Sequence, residues 1–229
     1  MFDNDTVYLG AAMWQLTEQL SENSKDAPPC EAVAVYVAKQ IEGPCLGKEA
    51  IVKVRMEIPN ILYPEFLPED LEELKDVNGF SVYTVEELNN LNRLTQAGCK
   101  SSLRLIGWYS EKQTEHMPLP GGYLVWILME KVPGITPWDF WEMPREERDQ
   151  IRKSFHEALM EVYSHGIAPQ DEGRRNLVWD KDNRKCYIVD YEDCEHIDEK
   201  RMEDVHWMSR ANFRWELEAW NGFDKPLQL

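Results

Sequence analysis

Asp171, Asn176 and Asp190 are the residues whose types and spacing most directly suggest chemistry. Asp171 and Asn176 stand five apart in "PQDEGRRN", a polar stretch that follows a long helical pattern. Asp190 ends the apolar run "CYIVD". Between them lie "NLVW" and the charged turn "DKDNRK", which predict a short strand–turn–strand hairpin. A hairpin returns on itself, so Asn176 and Asp190 are expected close together. Two oxygen ligands beside a third carboxylate suit Mg²⁺, which takes few protein oxygens and leaves other positions to water and phosphate. A neighbouring carboxylate can orient a hydroxyl nucleophile. Such a set makes up the metal and base half of a phosphoryl-transfer site. The plainer account is a turn-forming Asn, a strand-end Asp and an Asp that caps local backbone.

The elements that must position these residues can be read along the chain. Val7, Ala11, Trp14 and Leu20 fall at near-helical spacing and predict a helix over 5–21. "EAVAVYVAK" and "EAIVKVRME", joined by a turn with Pro and two Gly, predict an antiparallel hairpin. In the second of these runs Ile51, Lys53, Arg55 and Glu57 alternate with Val52, Val54 and Met56. "PEDLEELKDV" (68–77) predicts a short acidic helix. "YTVEELNNLNRLTQAG" predicts a longer one, with Thr84 as N-cap, Glu87 closing a capping box and Gly98 past the end. Val85, Leu88, Leu91 and Leu94 form its apolar stripe. Two further strands are expected in "SLRLIGWYS" and "YLVWILMEK", with a turn-rich loop between them. A connector with a short helix, "VPGITPWDFWEM", leads into a long helix over 144–166 that Gly166 stops. The last 30 or so residues, rich in Met and Trp, read as helix. This order of elements suggests an α+β fold with two lobes.

The 229 residues have a globular composition, 43% hydrophobic and 11% aromatic. Forty-two acidic residues against 25 basic ones give a formal charge of −17. That balance argues against a general nucleic-acid binder, which needs a basic face. It is compatible with a cationic substrate or with a solvated acidic surface. The first residues lack the basic and apolar segments of a signal peptide. No stretch approaches the roughly 20 apolar residues of a membrane span. Five cysteines without paired spacing read as reduced thiols in a cytoplasmic protein, and their spacing speaks against zinc.

"HGIAPQDEGRRNLVWD…YIVDYED" resembles the catalytic and metal-binding loops of protein-kinase-like phosphotransferases. "DYED" is closer to the aminoglycoside and choline kinase branch and to small fungal kinase-like proteins. "AIVKV" resembles the strand whose lysine holds nucleotide phosphate, which points to Lys53. "EELNNLNRL" resembles the helix whose glutamate pairs with that lysine, which points to Glu87. "YLVWILMEKVPG" resembles the strand and hinge that hold adenine, with Glu130 to Val132 supplying backbone groups. The resemblance covers about residues 31–195. It implies one bilobal domain over 1–229, with an antiparallel-sheet N-lobe and hinge to about 130 and a mainly helical, shortened C-lobe over 131–229.

The implied activity is ATP- and Mg²⁺-dependent transfer of the γ-phosphoryl group to a hydroxyl of a small molecule. Asp171 would orient that hydroxyl, and Asn176 and Asp190 would hold the metal. The sequence also departs from the pattern. No Gly-rich loop stands roughly 20 residues before Lys53. Pro169 and Gln170 replace His and Arg, and Gly173 replaces a common Lys, whose charge Arg174 or Arg175 would supply to phosphate. A catalytically inactive binding scaffold, or a site reused for other chemistry on a small metabolite, therefore stand as alternatives.

Overall fold

The computed structural model describes residues 2, 5–26, 28–61, 79–197 and 210–218. The chain forms two compact units, one of residues 1–88 and 105–131 and the other of residues 89–104 and 132–229.

The first unit is built on one six-stranded sheet in the order β1-β2-β3-β4-β6-β5. Its strands are β1 (Thr6–Leu9), β2 (Ala12–Lys25), β3 (Glu31–Glu42), β4 (Glu49–Glu57), β5 (Leu105–Lys112) and β6 (Tyr123–Glu130). Every neighbouring pair is antiparallel. Period-2 alternation gives the sheet two distinct faces. One face buries Trp14, Leu16, Ala34, Tyr36, Val52, Val54, Leu124, Trp126 and Leu128 as an apolar cluster. The opposite face carries Glu31, Lys53, Arg55 and Tyr123, all also buried.

The expected helix over 5–21 does not form. "TVYL" and "AMWQ" pair as a hairpin in which Leu9 faces Ala12, and Gly10 turns the chain at φ +68°. A Gly-X pair between β-rich runs is itself a hairpin signal, and it outweighs four loosely spaced apolar residues. This hairpin adds strands that bend the sheet towards closure. Register shifts at Met13/Trp14, Leu16/Glu18 and Gln19/Ser21 mark where β2 bulges against β3, and bulges increase local twist. Gly10 meets the Tyr109 ring on β5.

The expected kinase-like bilobal fold, with a mainly helical second lobe, is thereby corrected. Strand makes up 39% and helix 23%, and the main sheet is nearly closed. The helices among the described residues are α1 (Val82–Ala97), α2 (Arg145–Ser164) and the single turn α3 (Ala211–Arg214). The connector at 132–143 holds turns rather than a helix. The predicted acidic helix at 68–77 lies outside the described residues, as does most of the expected C-terminal helix.

α1 begins two residues before the expected N-cap. Ser81 takes that role: its Oγ accepts from the Thr84 backbone N–H at 3.2 Å, and its carbonyl accepts from Val85 N–H. In the second unit, α2 buries Ile151, Phe155, Ala158, Leu159 and Val162. The hairpin β8 (Leu177–Asp180) and β9 (Lys185–Ile188) packs on it. Cys186 N–H donates to Ser154 Oγ at 2.7 Å and anchors that contact. A second small pair joins β7 (Ile167–Pro169) to β10 (Cys194–His196). Among the described residues no helix is long and apolar enough to cross a membrane.

Candidate functional site

In the first unit, the polar face of the sheet meets the first half of α1 through charged side chains. Lys53 Nζ donates to Glu87 Oε1 at 2.8 Å. Arg55, two residues along β4 and on the same face, donates to Glu87 Oε2 at 2.8 Å and to Glu31 Oε2 at 2.5 Å. Glu31 Oε1 also accepts from Thr84 Oγ1 at 2.7 Å and Tyr123 OH at 2.8 Å. Lys53 is 5% exposed, Glu87 2%, and Arg55 and Glu31 are fully buried. Each of the two carboxylates is paired with a cation, as buried ions require.

The expected partners Lys53 and Glu87 are thus neighbours, and Arg55 and Glu31 complete a network that the sequence reading missed. The signal for Arg55 was its period-2 spacing from Lys53. Glu31, at the first position of β3, gave no comparable signal.

The network's electrostatics carry a pH dependence. Burial raises the Glu31 carboxyl, but Arg55 together with the Thr84 and Ser81 hydroxyls outweighs burial and holds it below its ordinary value of 4.5. A folded pKa below the unfolded one stabilises the fold above the unfolded pKa, and that stability is lost as pH falls through the folded pKa. Midpoints of thermal unfolding should therefore change little across neutral pH and decline as pH drops below about 4.5. Glu31→Gln should flatten that decline. An acid slope unchanged in Glu31→Gln would show that this carboxylate does not drive it.

In the second unit, the loop between β7 and β8 gathers the acid and amide residues. Asn176 Nδ2 donates to the Asp171 carbonyl at 2.8 Å and to Asp171 Oδ2 at 3.0 Å. Asn176 is 6% exposed and ends a single 3₁₀ turn, Arg174–Asn176. Its carbonyl accepts from Val189 N–H at 2.9 Å, which sets Asp190 one residue beyond that contact. Asp190 adopts φ +69°, a left-handed conformation that Asp tolerates better than most residues. Tyr191 beyond it is fully buried, and its carbonyl accepts from Asn90 Nδ2 at 3.0 Å. The hairpin therefore brings Asn176 alongside the strand end that carries Asp190, next to Asp171.

Two basic residues of the loop are already engaged. Arg175 forms an ion pair with Asp171 Oδ1. Arg174 donates to the Trp138 carbonyl at 3.2 Å, and its Nε lies 3.5 Å from the Glu216 carboxylate. A phosphate would compete with these partners for Arg174. Glu130 is the last residue of β6, opposite Ala50 of β4, and the half-buried Val132 follows in irregular backbone. These positions supply backbone groups at the end of a strand, and Lys131 is tied to Glu49 at 2.7 Å.

The first unit thus offers a buried ammonium held by a carboxylate, and the second offers oxygen ligands beside a half-exposed carboxylate. The donor set of Asp171, Asn176 and Asp190 is all oxygen, as a hard cation such as Mg²⁺ prefers. No protein-family model matches the chain, and no curated protein does.

Proposed function

We propose that the chain is an ATP- and Mg²⁺-dependent phosphotransferase acting on a hydroxyl of a small molecule. The observation that carries this is the buried Lys53–Glu87 pair. A buried ion pair contributes little net stability compared with apolar packing of the same volume. A lysine held in one place, by contrast, presents a compact charge suited to phosphate oxygens. In this scheme Lys53 takes up nucleotide phosphate, Glu87 positions it, and Glu130 to Val132 offer backbone groups to the adenine. Asn176 and Asp190 hold Mg²⁺, and Asp171 orients the acceptor hydroxyl. The formal charge of −17 favours a cationic acceptor. The proposed setting is the cytoplasm, where the five free cysteines stay reduced.

One observation favours a second reading, nucleotide binding without turnover. Arg175 pairs with Asp171, the residue the transfer reaction needs. Thermal unfolding with Mg·ATP addresses both readings. Nucleotide at about 100 times its Kd stabilises by roughly 2.7 kcal/mol, a rise of several degrees for a chain of this size. A rise that disappears when Mg²⁺ is chelated, with ADP formed on incubation, supports the phosphotransferase. The same rise without ADP supports a binding scaffold. No rise at millimolar Mg·ATP overturns both.

A further inference from the structure

The second unit holds another group of potential ligands, at the ends of α1 and α2. Cys99, Glu161 and His165 each offer one ligand atom, and these atoms all lie within 4.8 Å of one another. Glu161 lies in the last turn of α2, and His165, four residues on, is the residue that caps its C-terminal end. Cys99 follows the end of α1, where Gly98 turns the chain at φ +72°. All three side chains are partly exposed, so an ion and a water can reach them.

The backbone that carries these ligands is fixed. Cys99 N–H donates to the Leu94 carbonyl at 3.0 Å and closes the end of α1. His165 N–H donates to the Val162 carbonyl, and Gly166 at φ +74° closes the end of α2. The carboxylate is oriented as well. Glu161 Oε1 accepts from Lys100 N–H at 2.9 Å, and Oε2 accepts from Ser101 Oγ at 2.5 Å. Outer hydrogen bonds of this kind hold a ligating carboxylate in place, and each oxygen keeps a further lone pair for a metal. Lys185 lies at the rim, its Nζ donating to the Lys100 carbonyl at 2.6 Å, so its charge is tethered by a neutral acceptor.

We infer that Cys99, Glu161 and His165 form a zinc site with three protein ligands and one open position. Thiolate sulfur with imidazole nitrogen selects a borderline-soft ion such as Zn²⁺ over Mg²⁺ or Ca²⁺. Tetrahedral zinc needs ligand atoms roughly 3.6 Å apart, given bond lengths of about 2.0–2.3 Å. The ligand atoms lie within 4.8 Å of one another, so side-chain shifts on the order of 1 Å would bring them to that separation. A thiolate and a carboxylate neutralise the ion, and the site would clasp the end of α1 to the end of α2. The linear spacing of Cys and His spoke against zinc because the ligands come from two helix ends 62 residues apart in sequence.

Cobalt(II) titration of the chelator-treated full chain tests the site. One equivalent of Co²⁺ should produce a thiolate-to-cobalt charge-transfer band, and Zn²⁺ should displace it. Cys99→Ser should abolish the band, His165→Gln should weaken binding by about tenfold or more, and Cys45→Ser should leave it unchanged. Absence of the band in the wild type, its persistence in Cys99→Ser, or unchanged affinity in His165→Gln overturns the proposal.

Discussion

Replacing Arg55 with Met should lower the thermal midpoint by about 10 °C, one of the two largest effects expected of a single substitution in this chain. Arg55 is fully buried and donates to two carboxylates, Glu31 and Glu87. Removing one partner of a buried ion network costs about 3–5 kcal/mol, because the remaining charge is left uncompensated. At this chain length each kcal/mol moves the midpoint by about 2–4 °C. Met fills a similar volume, so the loss arises from charge rather than from a cavity.

The double variant Arg55→Met/Glu31→Gln separates these causes. After Arg55→Met, Glu31 loses the guanidinium that donates to it. Glu31→Gln removes that uncompensated charge, and its amide oxygen still accepts from Thr84 and Tyr123, so the double variant should regain at least half of the lost midpoint. If it unfolds as readily as the single variant, packing rather than charge balance explains the effect. Arg55→Lys keeps the charge but not the fork that spans two carboxylates, so it should recover only part of the loss.

The second large effect concerns turnover. Asp171→Asn should reduce ADP formation from ATP by about 10²–10⁴-fold, the range for a lost acid–base group, while Mg·ATP affinity changes little. Asp190→Asn should instead weaken Mg²⁺-dependent binding as well as turnover, because it removes a proposed metal ligand. Asp171 is half-exposed and its partner Arg175 is at the surface, so the asparagine variant should fold normally. Water serves as the acceptor in this assay, so no knowledge of the natural hydroxyl is needed. ADP formation unchanged in both variants would remove these residues from the chemistry.

The parts of the fold legible in the sequence were those governed by local rules. β4 runs over the nine residues whose alternation predicted it, Glu49–Glu57. α1 and α2 follow their leucine and aromatic stripes closely. The hairpin β8–β9 followed from two short apolar runs around a charged turn. What failed was decided by pairing across the chain. β2 buries only a few side chains, and its outer half is polar and exposed, so neither period 3.6 nor period 2 stands out. Its strand state comes from pairing along nearly the whole of β3. That added hairpin turns the sheet towards closure and replaces the expected bilobal architecture.

The candidate site divides in the same way. Asp171 and Asn176 are five apart on one loop, and the return of the hairpin fixes Asp190 near Asn176, all from local spacing. Glu31 enters the charged network only because β3 lies beside β4 and Tyr123 comes in on β6. Cys99 reaches Glu161 and His165 only through the meeting of two helix ends. Neither long-range meeting has a signature in linear spacing.

The central claim, that Lys53 holds nucleotide phosphate, is tested most directly by calorimetric titration of Mg·ATP into the wild type and into Lys53→Met. Glu87 keeps Arg55 as a partner in that variant, so the network loses one cation and not its frame. The wild type should bind one Mg·ATP, and the variant should bind about tenfold or more weakly, the loss expected for one charge-assisted hydrogen bond. No binding to the wild type at millimolar Mg·ATP, or equal affinity in the two proteins, would contradict it.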